Sequence, residues 1–257
     1  MKIDITFSEQ DKQALRVFIE DYSQRFFVRK RREWNVYGDI PVRNREIIWR
    51  TMAMCLLSTQ QRSGPGSSIN RFLQTDPFVI SLEHCDRQTE VEQFVFDELT
   101  KFDGIRFRPK IAKQMQDNYT ALCKSGWDMI ENWANRLELQ RKSEPSPDHY
   151  VLERQAAAYI NKTFKGFGPK QSRNFWQTLG LSRYEFVLDS RVIKRLRLMG
   201  FPIPLSSQAL GEEEYYCFVS DYLREWCVKA DVLPCILDAA IFCSFDNEEW
   251  TKDTMVW

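Results

Sequence analysis

The chain has 257 residues, 43% of them hydrophobic and 28% charged, which is enough apolar content for a core in one large domain or two small ones. Its 36 Lys and Arg balance its 36 Asp and Glu, and a net charge of zero argues against a protein that coats nucleic acid indiscriminately. With 18 Phe, 9 Tyr, 8 Trp, only 10 Gly and little strand-type alternation, the composition leans towards an all-α fold.

In chain order, Ser8-Glu9-Gln10-Asp11 reads as a helix start, followed by Leu15, Phe18, Ile19, Tyr22 and Phe26 on one face. Residues 44–61 repeat that spacing through Ile47, Ile48, Thr51, Cys55 and Leu56, and Gly64-Pro65-Gly66 breaks it. Helices are expected at 67–74, 88–101, 109–124, 126–141 and 148–162, then at 169–179, 190–199, 211–229 and 231–243. The best linker-like segment is Ser143-Glu144-Pro145-Ser146-Pro147-Asp148. Two helical lobes are expected, a central one over 43–199 and a terminal one from 1–42 with 200–257.

The seven cysteines contain no C-x-x-C pair, and nine, seven and seven residues separate the last four, which matches no zinc spacing. Free thiols, no metal and no cofactor are expected. No apolar stretch approaches the ~20 residues needed to span a bilayer. The polar start MKIDITFSEQDKQ is unlike a secretory signal, so the expectation is a cytoplasmic monomer without membrane contact.

Charge is unevenly spread. Residues 162–197 carry nine basic side chains against Glu185 and Asp189, and a second basic run comprises Arg25, Arg29, Lys30, Arg31 and Arg32. Such runs are commonly solvated helix faces. In 162–197, however, the charge coincides with Phe164-Lys165-Gly166-Phe167-Gly168-Pro169-Lys170-Gln171-Ser172. A helix ends, a turn with two glycines follows, and a new helix begins at Pro169, whose missing N–H has no intrahelical partner in any case. Glycines permit positive φ and close approach of another chain. First-turn N–H groups and the helix dipole then favour an anion such as a phosphate. The pattern is a helix-hairpin-helix, expected at about 150–180, with Gly166, Gly168, Lys165 and Arg173 against a nucleic-acid backbone.

Lys170 falls in the first turn of the second helix, where the positive dipole end disfavours an ammonium and makes the amine a better nucleophile. Asp189 follows after 18 intervening residues, between an apolar run and a helix, and reads as an N-cap.

Gly-Phe-Gly-Pro-Lys, 18 residues and Asp together resemble the signature of the helix-hairpin-helix-GPD superfamily of DNA glycosylases. The resemblance implies that Lys170 attacks the sugar and that Asp189 stabilises its positive charge. It also implies base removal followed by nicking of the strand, on double-stranded DNA carrying a damaged base. Leu56-Leu57-Ser58-Thr59-Gln60-Gln61-Arg62 resembles the Leu-Ser-x-Gln stretch of endonuclease III relatives, which implies that Gln60 enters the duplex where the base has left.

Phe175, Trp176, Leu179, Asp189, Arg191 and Leu237-Asp238 are most similar to the second, mainly archaeal type of 8-oxoguanine DNA glycosylase/lyase. That similarity implies 8-oxoguanine as substrate and a base pocket with Asp238 and Phe242, although a Phe in such a helix is commonly core. Two departures stand out. The cysteines do not follow the iron–sulfur spacing of endonuclease III, and the chain ends in Thr254-Met255-Val256-Trp257 instead of a terminal lysine. A non-catalytic helix-hairpin-helix DNA-binding module, which needs neither Lys170 nor Asp189, is the alternative. A helical interaction protein with a coincidental motif is a third.

Overall fold

The structure is a computed structural model that describes residues 6–39, 43–143, 146–246 and 248–256. Trp257 and the Glu144-Pro145 part of the linker segment lie outside the described residues. Thirteen α-helices and no strand occur among the described residues. In chain order they are α1 (Glu9–Tyr22), α2 (Phe26–Arg32), α3 (Arg45–Leu57), α4 (Ser68–Leu73), α5 (Leu82–Asp86), α6 (Val91–Thr100), α7 (Arg108–Ala121), α8 (Trp127–Arg141), α9 (Pro147–Thr163), α10 (Pro169–Thr178), α11 (Ser190–Leu198), α12 (Glu213–Lys229) and α13 (Pro234–Cys243).

Local chemistry sets the helix starts. Ser8 and Asp11 form a reciprocal capping box, with Asp11 N–H donating to Ser8 Oγ and Ser8 N–H donating to Asp11 Oδ2 at 2.7 Å. Asn44 and Asp189 cap α3 and α11, and Pro169 occupies the first turn of α10. The expected helices are present. Two more were not in the expectation. The five residues of α5 are too few to display a period. The basic run hid α2, in which Phe27, Val28 and Arg31 are buried while Arg29 is exposed. Helix α3 also stops at Leu57, leaving Gln60 beyond its end at φ 56°.

Two apolar cores build two lobes. The first gathers α3 to α10, from Ile48 to Leu181, together with Val256. The second gathers α1, α2 and α11 to α13, with Leu15, Val28, Phe186, Tyr216, Leu223, Leu237 and Trp250 at its centre. Within residues 186–199, expected in the central lobe, Phe186, Leu188, Val192, Ile193 and Leu196 are buried in this second core.

Polar ties clamp the lobes together. Arg31 Nη1 and Asn35 Nδ2 both donate to the Gln177 carbonyl at the end of α10, at 2.7 and 2.9 Å. Arg173, fully buried on α10, pairs with Glu185 and with Glu213 of α12, each at 2.7 Å. Arg154 of α9 joins the same network through Glu185 and Asp221. Between the lobes lies a cleft of about 1110 Å³, lined from both cores by residues such as Met54, Gly168, Lys170, Asp189, Asp238 and Phe242.

Candidate active site and nucleic-acid interface

Helices α9 and α10 pack as a hairpin whose connecting turn is fixed from inside. Phe164 and Phe167 turn into the first core, 3% and 4% exposed, and Phe167 meets Phe175 edge to face. Asn118, fully buried on α7, grips the backbone of Lys165 twice. Its Nδ2 donates to the Lys165 carbonyl at 3.0 Å, and its Oδ1 accepts from the Lys165 N–H at 2.7 Å. A lone Asn inside a helix carries no sequence signal for this role, and it was missed.

Lys165, Gly166 and Gly168 are therefore left exposed. Gly166 needs its missing side chain for two reasons. Its φ is +83°, and a Cβ would stand 2.5 Å from Leu56 Cδ2 and 2.8 Å from the Gln114 side chain. Gly168 has an ordinary extended backbone at φ −90°, and a Cβ there would meet nothing within 4 Å. Its bareness matters only to something approaching from outside. The first-turn N–H groups of α10 point the same way, lacking intrahelical acceptors.

Arg173 was expected beside Lys165 at this surface, and the structure corrects that. It is 1% exposed, with its guanidinium committed to Glu185, Glu213 and the Pro169 carbonyl. The i,i+4 geometry of α10 turns it away from the hairpin tip and into the seam between lobes.

Lys170 is the second residue of α10 and lines the cleft. Among the described residues, none ion-pairs or hydrogen-bonds with its ammonium. Burial is the largest influence holding it below the ordinary lysine value, and Arg191 adds to that effect, while Asp189, Cys55 and Asp238 oppose it. Desolvation thus does most of what the sequence reading assigned to the helix dipole.

Asp189 divides its carboxylate. Oδ1 accepts the N–H groups of Arg191 and Val192 at 2.8 and 3.0 Å, which caps α11. Oδ2 accepts the Arg191 side chain.

Asp238 on α13 is 7% exposed at the cleft, and burial foremost pushes its carboxyl up to about 7. Buried Arg31 is the strongest of the charges opposing that shift. Phe242, one turn on, is half-buried and stacks on Phe27 with centroids 4.8 Å apart and an interplanar angle of 18°.

Gln60, Arg62 and Arg106 stand at the cleft's rim. Gln60 is exposed, whereas its neighbour Gln61 is tied down, donating to the Leu57 carbonyl and accepting from Arg106 N–H. That bridge joins the end of α3 to the loop carrying Arg106 and Phe107, the latter 40% exposed at φ 59°. The pair was not foreseen, because only the tertiary structure brings 106–107 beside Gln60. Among the described residues, no group of three His, Cys, Asp or Glu side chains is arranged to hold a metal ion.

No known family profile matches the sequence, and no curated protein matches it. Solved structures do. The crystal structure of Methanocaldococcus jannaschii 8-oxoguanine DNA glycosylase matches at 16% identity and a TM-score of 0.63, covering 95% of this chain and 98% of that one. The M. jannaschii 8-oxoguanine glycosylase/lyase in complex with a 15mer DNA containing 8-oxoguanine matches at 14% identity and 0.66, covering 93% and 100%. The chain has the fold of these 8-oxoguanine DNA glycosylases. The Thermotoga maritima 8-oxoguanine DNA glycosylase, at 15% identity and a TM-score of 0.62, covers 95% of this chain and 99% of that one. The glycosylase fold thus extends over both lobes and the cleft, and the expected all-α architecture is present throughout the described residues. No described helix is long and apolar enough to cross a membrane.

Proposed function

We propose that this protein is a bifunctional DNA glycosylase/AP lyase that removes a damaged purine, 8-oxoguanine being the substrate named for the structural neighbours, and nicks the strand. The observation that carries the proposal is Lys170. A lysine amine held below its ordinary value by burial, with no ion-pair partner among the described residues, lines a cleft that Asp189 also lines, in the first turn of α10 and two residues past Gly168. A protein that only binds DNA has no use for a desolvated amine, since an exposed, charged lysine grips phosphate better.

A base inside a duplex is out of reach, so the nucleotide is extruded into the cleft. Gln60 fills the space it leaves. Lys165 and the amides around Gly166 and Gly168 hold the backbone. Asp238 and Phe242 receive the base. Neutral Lys170 attacks C1′, the bond from C1′ to the base breaks, and the base departs with that electron pair and gains a proton. Asp189 faces the positive charge that develops on the sugar. Loss of the amine proton and opening of the ring give an imine between Lys170 and C1′. Removal of a proton from C2′ then expels the 3′ phosphate and cleaves the strand. The enzyme works as a monomer in this reading, which is supported by a cleft lined from both cores of one chain. Incubation with duplexes that each carry one defined lesion tests this reading. Nicking at an 8-oxoguanine and not at undamaged guanine supports it, and intact strands throughout would refute it.

A further inference from the structure

Arg191 lies between the two halves of this site. Its Nε donates to Asp189 Oδ2 at 2.9 Å, and its Nη2 forms an ion pair with the same oxygen at 2.7 Å. Its guanidinium carbon stands 3.8 Å from the centroid of Phe242, on the face that Phe27 leaves. Its Nη1 is 3.9 Å from Asp246 Oδ1. Asp246 is fixed in turn, since its Oδ2 accepts from Trp250 Nε1 at 2.8 Å.

A guanidinium is flat and delocalised, and it stacks on aromatic rings as a nucleobase does. One planar cation therefore occupies the stacking surface of the cleft and the carboxylate oxygen not used for capping. We propose that Arg191 is a displaceable plug: an extruded base takes its place on Phe242, and the same displacement releases Asp189 Oδ2 for the sugar. This inference rests on the reading of Lys170 and Asp189 as the reacting pair.

Asp246 is the partner to which the guanidinium moves, a shift of one carboxylate along the same wall. Capping is undisturbed, because it uses only Oδ1 of Asp189. The consequence is a link between recognition and chemistry. A base that stacks too poorly to evict Arg191 leaves Asp189 neutralised by its ion pair. The observed rate is then reduced by the fraction of time the plug is closed.

The test measures base release by wild-type protein, Arg191→Ala, Asp246→Asn and the double variant, at saturating protein on a duplex with a single 8-oxoguanine. Arg191→Ala is expected to release base about tenfold faster and to begin releasing undamaged guanine, a size suited to freeing one cation–π contact and one partly exposed ion pair. Asp246→Asn alone is expected to slow release, and to have no effect once Arg191 is gone. A packing role for Asp246 would slow both backgrounds equally and contradict the proposal. Arg191→Gln, which keeps a hydrogen bond to Asp189 but not the cation, should fall between and guards against a folding defect in the alanine variant. Release by Arg191→Ala that is unchanged or slower overturns the plug and makes Arg191 a positioning residue. Borohydride trapping of wild-type protein on a pre-formed abasic site, where no base has to be admitted, is scored separately. Absence of that adduct sinks the underlying Lys170 reading, whereas its presence leaves the plug to be judged on the release rates.

Discussion

Of the charges around Lys170, that of Asp189 acts on it most strongly, and the two residues open consecutive helices on one cleft. Burial lowers the affinity of the amine for its proton, and the carboxylate limits how far. The balance favours the neutral amine while leaving a carboxylate on the same cleft, as the proposed attack on the sugar requires.

Asp189→Asn separates the cap from the charge. The amide oxygen still accepts the Arg191 and Val192 N–H groups, so the melting temperature is expected to hold. The rate of base release is expected to fall by ~10²–10³-fold, the usual effect of removing one group aimed at transition-state charge. Asp189→Ala should add a loss of about 1 kcal/mol in stability, because the cap goes too. Thermal melts beside single-turnover release on one lesion duplex check both halves.

The two hairpin glycines are expected to part company. Gly168→Ala meets open space within the protein, so the fold should be unchanged while DNA affinity drops several-fold. Gly166→Ala should destabilise the protein by ~1 kcal/mol or more, from its positive φ and its approach to Leu56 and Gln114. Binding titrations over a range of salt supply the reference, since each neutralised phosphate contributes a slope of about −0.9 in log K against log [salt]. Gly168→Ala with wild-type affinity would remove the hairpin from the interface.

Arg173→Ala should act on stability. It strands Glu185 without its closest partner in a fully buried position, a loss of ~3–5 kcal/mol for a broken buried pair. Any residual folded protein should bind DNA with the wild-type salt slope. A reduced slope with normal stability would return Arg173 to the phosphate backbone.

Lys170 also makes a prediction about pH. Its folded value lies below the ordinary 10.5, so between the two the unfolded chain binds the proton more often, and stability rises with pH through that window. Lys170→Met relieves the cost of a buried ammonium. It should therefore melt higher than wild type near pH 7, with the gap narrowing towards pH 10. Each kcal/mol relieved is worth about 2–4 °C in a domain of this size. A lower melting temperature for Lys170→Met at neutral pH would mean that the lysine is held by favourable partners.

Much of this was legible beforehand for identifiable reasons. Pro169, the Gly166 turn and the Asp189 cap act through their own backbones, so a linear reading finds them. The amphipathic helices announce themselves by period. What the sequence hid depends on tertiary neighbours. Arg173 looked like a surface cation because its two carboxylate partners, Glu185 and Glu213, stand 12 and 40 residues away. Asn118 is 47 residues from the turn it clamps. The basic run at 25–32 concealed α2 because charge density masks a helix whose Phe27 and Val28 face inward. Residues 186–199 follow the hairpin in the chain yet pack in the other core, since apolar spacing shows that a helix has a buried face and not which core takes it.

Borohydride trapping is the sharpest test of Lys170 as the proposed nucleophile. Wild-type protein is incubated with a duplex containing one 8-oxoguanine in the presence of borohydride, and the linked peptide is mapped. Lys170 as the nucleophile entails a covalent protein–DNA adduct on Lys170, no adduct and no nicking from Lys170→Gln, and nearly undiminished DNA binding by that variant. An adduct mapped to another amine, or undiminished trapping by Lys170→Gln, would contradict it.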